Sequence, residues 1–310
     1  MKILEYNEVD PLQVLYVNML ALDHALTPEK VRRIRQSDPR PFPCLAIYGV
    51  EDGTVLGQVG IFRLPMISTE GREDVGGIWA VSTHPHHSGR GIASRLLEEA
   101  HARMREAGLR FSTLGTSRYR LAYQLYRQHG YEETNVLATA LAPWSVAHQP
   151  TRLRLQAPEA GGYDVVEQVF NEIAPSYLGF AWRHTPFASL RNVSLGDIWI
   201  LMENNHRVGY AIAHVDDGML SISNLLLRPD IDAAEAVAAI AAELKSAYVQ
   251  VSTSRPSEMA SLKGAGYHVA NPTWGGFMIK SLVPGVTVEE ARHLFEIGTD
   301  RFLISWLDVT

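Results

Sequence analysis

Gly89, Arg90 and Gly91 form the stretch with the clearest chemical meaning in this sequence. The apolar residues VGGIWAVST before it predict a β-strand, and the apolar residues after it recur at helical spacing. A helix that begins here presents unpaired backbone N–H groups and the positive end of its dipole. Glycines leave room for a bulky anion, and Arg90 adds a positive charge. The stretch therefore indicates a cradle for phosphate groups, as in nucleotide sites.

Two common nucleotide motifs do not fit this stretch. No Gly-Lys-Ser/Thr triplet follows the glycines, as a Walker loop requires. Ser94 stands where a Rossmann fingerprint places its third glycine. The strands before Gly89 are joined by a short turn, which predicts antiparallel pairing rather than a doubly wound parallel sheet. A flexible loop before a helix is the alternative interpretation of the two glycines.

Three histidines precede the glycines, and they raise the question of a metal site: His84, His86 and His87. A zinc site needs three or four converging ligands. The nearby acidic residues, Glu98 and Glu99, lie turns into the predicted helix. We therefore interpret the histidines as solvated loop residues and expect no metal ion.

The elements around this stretch recur in the second half of the chain. In each half, the sequence pattern predicts three strands, a helix, a strand, a helix and a last strand, in that order. Residues 142–152, APWSVAHQPTR, read as a short linker, and the tail RFLISWLDVT is expected to add a strand to a sheet. The sequence therefore predicts an α/β fold with a mixed sheet, in two tandem domains at residues 1–145 and 152–310.

Composition restricts the class of protein. The chain has 310 residues, of which 46% are hydrophobic and 20% charged, with a net charge of −6. This is typical of a soluble globular protein without the clustered basic face of a nucleic-acid binder, and it slightly favours an amine substrate. The single cysteine, Cys44, excludes a disulfide within the chain and fits the cytoplasm. No apolar run is long enough for a membrane span, so we expect no membrane partner.

Two motifs resemble those of the GNAT acyltransferase superfamily. Residues 88–93, SGRGIA, resemble its motif A, in which Q/R-x-x-G-x-G/A lies between a strand and a helix. The segment YRLAYQLYRQHGYEE resembles the family signature N-x-x-A-x-x-L-Y-x-x-x-G-F/Y. Ser88 replaces the usual Gln or Arg, and Tyr119 replaces the usual Asn. The tandem layout is most similar to acetyltransferases of the enhanced-intracellular-survival type, whose second GNAT domain is degenerate, and mycothiol-synthase-like proteins are further relatives.

The resemblance implies acetyl-CoA as co-substrate, bound by the first domain. In the family, backbone amides of the strand before motif A hold the pantetheine arm and the thioester, and the glycine loop holds the phosphates. The implied cofactor-binding residues are Val81, Ser82, Thr83, Ser88, Gly89, Arg90, Gly91, Ile92, Ala93, Ser94 and Tyr119.

Tyr126 is the candidate general acid. A phenol with a pKa of ~10 is protonated at neutral pH and can protonate a thiolate whose parent thiol has a pKa of ~8.5. The helical pattern alone favours a core aromatic at this position, whereas the match to the family signature favours the acid. The general base stays open. Gly77 stands where relatives often place a glutamate, and survival-type enzymes use the C-terminal carboxylate, here Thr310. The other candidates are Glu73, Asp74, Asp23 and His24.

The second half lacks the glycine loop. Aligning Pro85 with Pro229 places Asp232 and Glu235 where a pyrophosphate would bind, so we expect no coenzyme A there. Four tryptophans are candidates for the acceptor cleft or for the core: Trp182, Trp199, Trp274 and Trp306. The sequence thus predicts an N-acetyltransferase that acts on a small primary amine and allows a homo-oligomer. The alternatives are a non-catalytic acyl-CoA-binding or regulatory module and a protein-directed acetyltransferase.

Overall fold

The computed structural model describes residues 1–147, 150–158, 162–183, 190–305 and 307–308, apart from the side chains of residues 191 and 271–274. The strands are β1 Lys2–Glu5, β2 Pro41–Glu51, β3 Thr54–Ser68, β4 Gly71–Thr83, β5 Phe111–Thr116, β6 Glu132–Pro143, β7 Arg154–Gln156, β8 Leu178–Gly179, β9 Ile198–Glu203, β10 His206–Asp216, β11 Met219–Leu227, β12 Tyr248–Thr253, β13 His268–Ser281 and β14 Phe302–Leu303. The helices are α1 Pro11–Leu22, α2 Pro28–Ser37, α3 Ile92–Glu106, α4 Leu121–Gln128, α5 Trp144–Ala147, α6 Tyr163–Ile173, α7 Ala233–Leu244, α8 Pro256–Gly264 and α9 Val288–Phe295.

Local signals in the sequence place several helix ends correctly. Thr27 accepts a hydrogen bond from the backbone N–H of Lys30 at 3.2 Å, and Pro28 follows as the first residue of α2. Gly108, with φ +78°, lies just beyond the end of α3, where a left-handed residue is favoured. Cys44 is buried in β2. These elements form as expected because their start and stop signals lie within a few residues of the ends that they determine.

One mixed sheet runs through both halves of the chain. Its order is β1-β2-β3-β4-β5-β13-β6-β12-β11-β10-β9-β7, while β8 pairs with β3 and β14 at the side. The predicted repeat is present as β2-β3-β4-α3-β5-α4-β6 and β9-β10-β11-α7-β12-α8-β13. The mixed α/β fold is therefore confirmed. The parallel pairs are β4 with β5, β11 with β12, and the short β8 with β14.

The two halves exchange their last strands at the centre of this sheet. Strand β13, from the second half, lies between β5 and β6 of the first half, and β6 in turn pairs with β12 of the second half. Met278 and Leu282 consequently belong to a core cluster otherwise built from first-half residues. Ala140 and Ala142 belong to the cluster of the second half. Each half thus needs a strand of the other to complete its sheet and its core.

The predicted linker takes a form that the sequence did not indicate, whereas the tail adds the expected strand in a short form. Residues 144–147 form α5, and the backbone N–H of Trp144 donates to the carbonyl of Ala247 at 2.8 Å. The tail forms only the two-residue strand β14, which pairs with β8. Trp306 lies outside the described residues. No described helix has the length and apolar character to cross a membrane.

Candidate active site

A cleft opens where β4 and β5 diverge. These two parallel strands pair only at Gly76 opposite Ser112 and Gly77 opposite Thr113. Beyond Gly77, β4 continues for six residues along β3 without a described partner on its β5 side. Backbone N–H and C=O groups that would form a ladder are therefore presented to the opening.

A β-bulge at Ala80 shapes the wall that β4 contributes. Trp79 pairs with Gly60 and Ser82 with Gln58, so Ala80 and Val81 together face a single residue of β3, and Ala80 takes a left-handed φ of 48°. The Gln58 amide nitrogen donates to the carbonyl of Ala80 at 3.1 Å. Gln58 also exchanges two buried hydrogen bonds with Asn18, of 2.8 and 2.9 Å. This amide pair fixes the bulge to α1, and no local sequence signal reveals it.

The cleft has a volume of about 610 Å³ and is enclosed by both sheet and helices. One wall is β4, the opposite wall is β5 with α4, and the end of α1 closes the side far from the glycine loop. The lining residues are Ala21, Leu22, His24, Arg40, Phe62, Ile78, Trp79, Ala80, Val81, Gly115, Thr116, Arg120, Ala122, Tyr126 and Leu307. Its size suits a small-molecule ligand, because such pockets usually measure ~300–1,000 Å³.

The glycine loop follows β4 and leads directly into α3, as predicted. Gly89 and Gly91 have φ of +78° and +73°, conformations that other residues adopt with strain. Gly91 is the N-cap of α3, and no side chain caps this helix in the described structure. The N–H groups of Ile92, Ala93 and Ser94 are therefore available at the positive end of the helix. Arg90 reaches across to Glu51 at 2.6 Å.

The corresponding helix of the second half is capped by its own side chains. Asp232 accepts from the N–H of Glu235 at 3.0 Å and from the hydroxyl of Ser261 at 2.7 Å. The Ser261 hydroxyl in turn accepts from the N–H of Ala234 at 3.1 Å. These N–H groups already have partners, and carboxylates stand beside them. The start of α7 is thus a poor site for an anion, unlike the start of α3.

The strands of the second half also diverge, but their opening is filled. β11 and β12 pair as far as Ile222 and Val251, and the space beyond is lined by Arg183, Arg255 and Asp308. Arg183 forms a buried ion pair with Asp308 of the tail, and Arg255 forms another with Glu258. The cavity that remains measures about 20 Å³. This is space for about one water molecule.

Tyr126 lies in the wall of the first-half cleft, on α4, opposite Val81 of β4. Its side chain is 7% exposed, and this burial raises the pKa of its hydroxyl to about 12, against a small lowering by the charge of Arg120. The hydroxyl therefore carries its proton throughout the physiological pH range. The side chain is both a core residue and a cleft residue, which unites the two interpretations drawn from the sequence.

The structure separates the candidate bases. Glu73 accepts hydrogen bonds from Nε and Nη2 of Arg110, at 2.9 and 2.8 Å, and Asp74 is paired with Arg72 and Arg63. Neither of these carboxylates is among the described residues that line the cleft. His24 lines it, and Thr310 lies outside the described residues. Glu73 and Asp74, two of the candidate bases, therefore lie at the end of β4 that is far from the cleft lining.

His24 is held in its neutral form. Burial and the neighbouring ammonium of Lys30 lower its pKa. The His24 Nε2 atom lies 3.1 Å from the Lys30 Nζ atom, which can only donate. Nε2 therefore accepts this hydrogen bond, and the proton of the ring is on Nδ1.

The remaining predicted residues lie along the path from the cleft to the loop. Ser82 and Thr83 end β4, and the buried Ser82 hydroxyl has no hydrogen-bond partner among the described residues. Ser88 lies exposed in the loop. Tyr119 is 71% exposed just before α4 and is not among the described residues that line the cleft.

The three loop histidines, Trp182 and Trp199 are not among the described residues that line the cleft. The rings of His84 and His86 contact each other, with centroids 5.3 Å apart, as do those of His84 and His87. Among the described residues, no three His, Cys, Asp or Glu side chains are grouped as a metal site. Trp199 packs against the core of the second half, and Trp182 lies under Arg72. The side chain of Trp274 lies outside the described set. Besides Tyr126, the aromatic residues Phe62 and Trp79 line the cleft, and these two were not predicted.

Comparison with known proteins agrees with this geometry. Residues 13–134 match the family model of the acetyltransferase (GNAT) domain. No curated protein sequence matches the chain. The segment that carries both predicted motifs thus matches a GNAT acetyltransferase domain, and the resemblance drawn from the motifs is confirmed.

Solved structures share the fold across most of the chain. A conserved protein of unknown function from Enterococcus faecalis V583 is 16% identical, with a TM-score of 0.72 over 91% of this chain and 72% of that one. A GCN5-related N-acetyltransferase from Anabaena variabilis ATCC 29413 is 16% identical, with a TM-score of 0.69 over 91% and 73%. Eis1 from Mycobacterium abscessus is 14% identical, with a TM-score of 0.65 over 91% and 74%. The fold thus extends well beyond the segment that the family model covers.

Proposed function

We propose, from the GNAT acetyltransferase domain that residues 13–134 form, that this protein transfers the acetyl group of acetyl-CoA to the primary amine of a small molecule. One observation carries the proposal. The cleft between β4 and β5 has Tyr126 in its wall, and the strand that forms its other wall leads directly to a glycine loop with an uncapped helix. The backbone hydrogen-bond donors of β4, the Tyr126 hydroxyl as proton source and the glycine loop as anion-binding site thus lie along one path.

The residues present fit coenzyme A at this path. The uncapped N–H groups of Ile92 and Ala93, with the two glycines, would hold the pyrophosphate. The unpaired edge of β4 at Val81 and Thr83 would hold the amide groups of the pantetheine arm. The bound co-substrate supplies an acetyl thioester. The second half offers neither feature, so we expect one coenzyme A per chain.

Acetyl transfer requires attack by the amine, stabilisation of the developing negative charge and a proton for the departing thiolate. The amine nitrogen attacks the thioester carbon, and a backbone N–H of β4 stabilises the negative charge that develops on the carbonyl oxygen, an effect of about 2.7–4 kcal/mol. The carbon–sulfur bond then breaks, and the Tyr126 hydroxyl donates its proton to the departing thiolate. The proton that the amine loses passes to water in the cleft, and Tyr126 regains a proton from solvent. An amide and a free thiol result.

The shape and size of the cleft favour a small-molecule acceptor over a protein acceptor. It is lined on three sides by β4, β5 with α4, and the end of α1, and its volume of about 610 Å³ suits one small molecule beside the thioester. The direct test is release of free thiol from acetyl-CoA across a panel of small amines. Binding of coenzyme A without thiol release for any amine would support a non-catalytic module instead.

Replacing the acid tests the mechanism. Tyr126→Phe keeps the ring and its packing but removes the proton donor, so we expect kcat to fall by about 10²-fold or more. The dissociation constant of acetyl-CoA should stay unchanged in calorimetry. Tyr123→Phe, on the same helix but outside the cleft lining, is the matched control and should keep its turnover. Equal rates in the two variants would mean that Tyr126 serves packing alone.

The pH dependence of the reaction gives an independent check. Because burial raises the pKa of Tyr126 to about 12, its proton is not lost in the range where the enzyme is assayed. We expect kcat/KM to rise with pH as the acceptor amine becomes neutral, and then to level off without a fall up to about pH 10. A decline between about pH 8 and 10 that disappears in Tyr126→Phe would show that Tyr126 loses its proton in that range, which would contradict the raised pKa but not the role of Tyr126 as the acid.

A further inference from the structure

The end of the cleft that faces away from the glycine loop has an unusual charge for a site that receives amines. The residues that form this end are His24, Arg40, Phe62 and Trp79. Phe62 pairs with Gly77, and Trp79 precedes Val81 on β4, so both lie farther from the glycine loop than Val81 does. Among the described residues that line the cleft, none carries a carboxylate. The chain has a net charge of −6, so this local absence of acidic groups departs from its average.

Cationic groups surround this space instead. Lys30 lies directly behind His24, with its Nζ atom 3.1 Å from the ring, and no described carboxylate pairs with it. Arg120 lines the cleft near Tyr126, and its guanidinium forms no ion pair with a described residue. Neither side chain is thus paired with a described carboxylate, and burial, with the charge of Arg33, lowers the pKa of Lys30.

Arg40 adds hydrogen-bond donors with a defined direction. Its Nε and Nη2 atoms bind Asp38 at 2.9 and 2.7 Å, whereas its Nη1 atom forms no hydrogen bond with a described residue. Its guanidinium lies 5.1 Å from the centre of the Phe62 ring. Phe62 stacks on Trp79 with ring centres 5.1 Å apart and an interplanar angle of 13°. The space thus combines a flat aromatic wall with guanidinium donors that suit a carboxylate or phosphate.

We propose that the acceptor is an amine that also carries an anionic group, either a carboxylate or a phosphate. Arg40 binds this group, and the positive charges of Arg120 and Lys30 attract it. This inference rests on the proposed acetyl transfer. A purely cationic acceptor would meet Arg40 and Arg120 and no carboxylate among the described residues that line the cleft, while Asp38, outside the lining, leaves the Nη1 atom of Arg40 open to an anion. An anionic group bound there would keep the amine within the cleft whose wall includes Tyr126.

Matched pairs of amines test the inference. Phenylalanine is compared with phenethylamine, and O-phosphoethanolamine with ethanolamine, so that each pair differs in the anionic group. Spermidine represents a purely cationic acceptor. Binding to the full chain saturated with coenzyme A is measured by calorimetry, and acetylation is measured separately by thiol release. We expect the anionic member of at least one pair to bind about tenfold or more tightly than its partner. The pair that shows the effect identifies the carboxylate or the phosphate as the recognised group.

A double variant assigns the preference to Arg40. Asp38→Asn with Arg40→Gln removes the guanidinium without leaving a lone carboxylate, and we expect the tenfold preference to fall to within about threefold while coenzyme A binding is kept. Arg63→Gln, outside the cleft lining and paired with Asp74, is the control and should keep the preference. A preference retained by the double variant would overturn the role of Arg40. If the double variant unfolds, Arg120→Gln measures the contribution of the second cation.

The two readouts separate this inference from the proposed function. Preferential binding of the anionic member without any acetylation would contradict the proposed acetyl transfer while the recognition of an anionic ligand stands. Acetylation in which ethanolamine, phenethylamine or spermidine is bound as tightly as the anionic members would overturn the inference and leave acetyl transfer intact. Absence of binding by every compound at millimolar concentration would also count against it.

Discussion

Residues 1–145 expressed alone will not reach a stable fold. Without β13, the facing edges of β5 and β6 lose their partner, and the first-half core loses Met278 and Leu282. Truncation of one buried Met or Leu to Ala typically costs about 2–5 kcal/mol, and a whole domain is stable by only about 5–15 kcal/mol. Loss of a central strand with its buried side chains exceeds that margin, so we expect an aggregated or molten fragment without acetyl-CoA binding.

The measurement is a denaturant titration of the fragment beside the full chain, with acetyl-CoA binding as a second readout. Co-expression with residues 152–310 supplies β13 in trans, and we expect it to restore a soluble complex that binds acetyl-CoA. A monomeric fragment with a cooperative transition and the acetylation rate of the full chain would show that the second half is dispensable.

Gly91→Glu will abolish acetyl-CoA binding. The substitution places a carboxylate at the N-cap of α3, where the uncapped N–H groups would bind the pyrophosphate, and so reproduces the acidic start of α7. Gly108→Glu is a closely matched control because its φ of +78° is near the +73° of Gly91, and a Cβ atom would have no neighbour within 4 Å at either position. Both variants thus bear a similar backbone strain, and only one of them lies at the anion site.

Calorimetry with acetyl-CoA measures this effect. We expect one site per wild-type chain, no detectable binding to Gly91→Glu, and normal binding to Gly108→Glu. Two equivalent sites in the wild type would contradict the assignment of the start of α7 as unfit for an anion. Retained binding by Gly91→Glu would show that the phosphates lie elsewhere.

The parts of this protein that the sequence predicted are local in the chain. The strand, glycine loop and helix around Gly91 are contiguous, and their apolar spacing and turn residues are sufficient to place them. Tyr126 was found because residues 119–131 carry a recognisable signature. The sequence also predicted the repeat of elements in the second half. It likewise placed Asp232 and Glu235 at the start of a helix.

The order of the strands was decided by the tertiary structure alone. The sequences of β6, EETNVLATALAP, and β13, HVANPTWGGFMIKS, contain no feature that assigns either strand to a place in one half rather than the other. Only packing of the two halves against each other selects the arrangement in which the strands cross over. The same applies to the Asn18–Gln58 pair, whose members are forty residues apart and meet through the fold.

The sequence indicated only part of the cleft end that carries the cationic groups. Arg40 and Phe62 lie in no motif, whereas His24 was a candidate base and Arg120 lies within the family signature. Conversely, Glu73 and Asp74 are close to the cleft strand in sequence, but an extended strand advances about 3.3 Å per residue and carries them away from the cleft lining to arginine partners. Short-range patterns determine where helices and strands begin, whereas the charge and shape of a cleft depend on distant residues that converge only when the sheet is assembled.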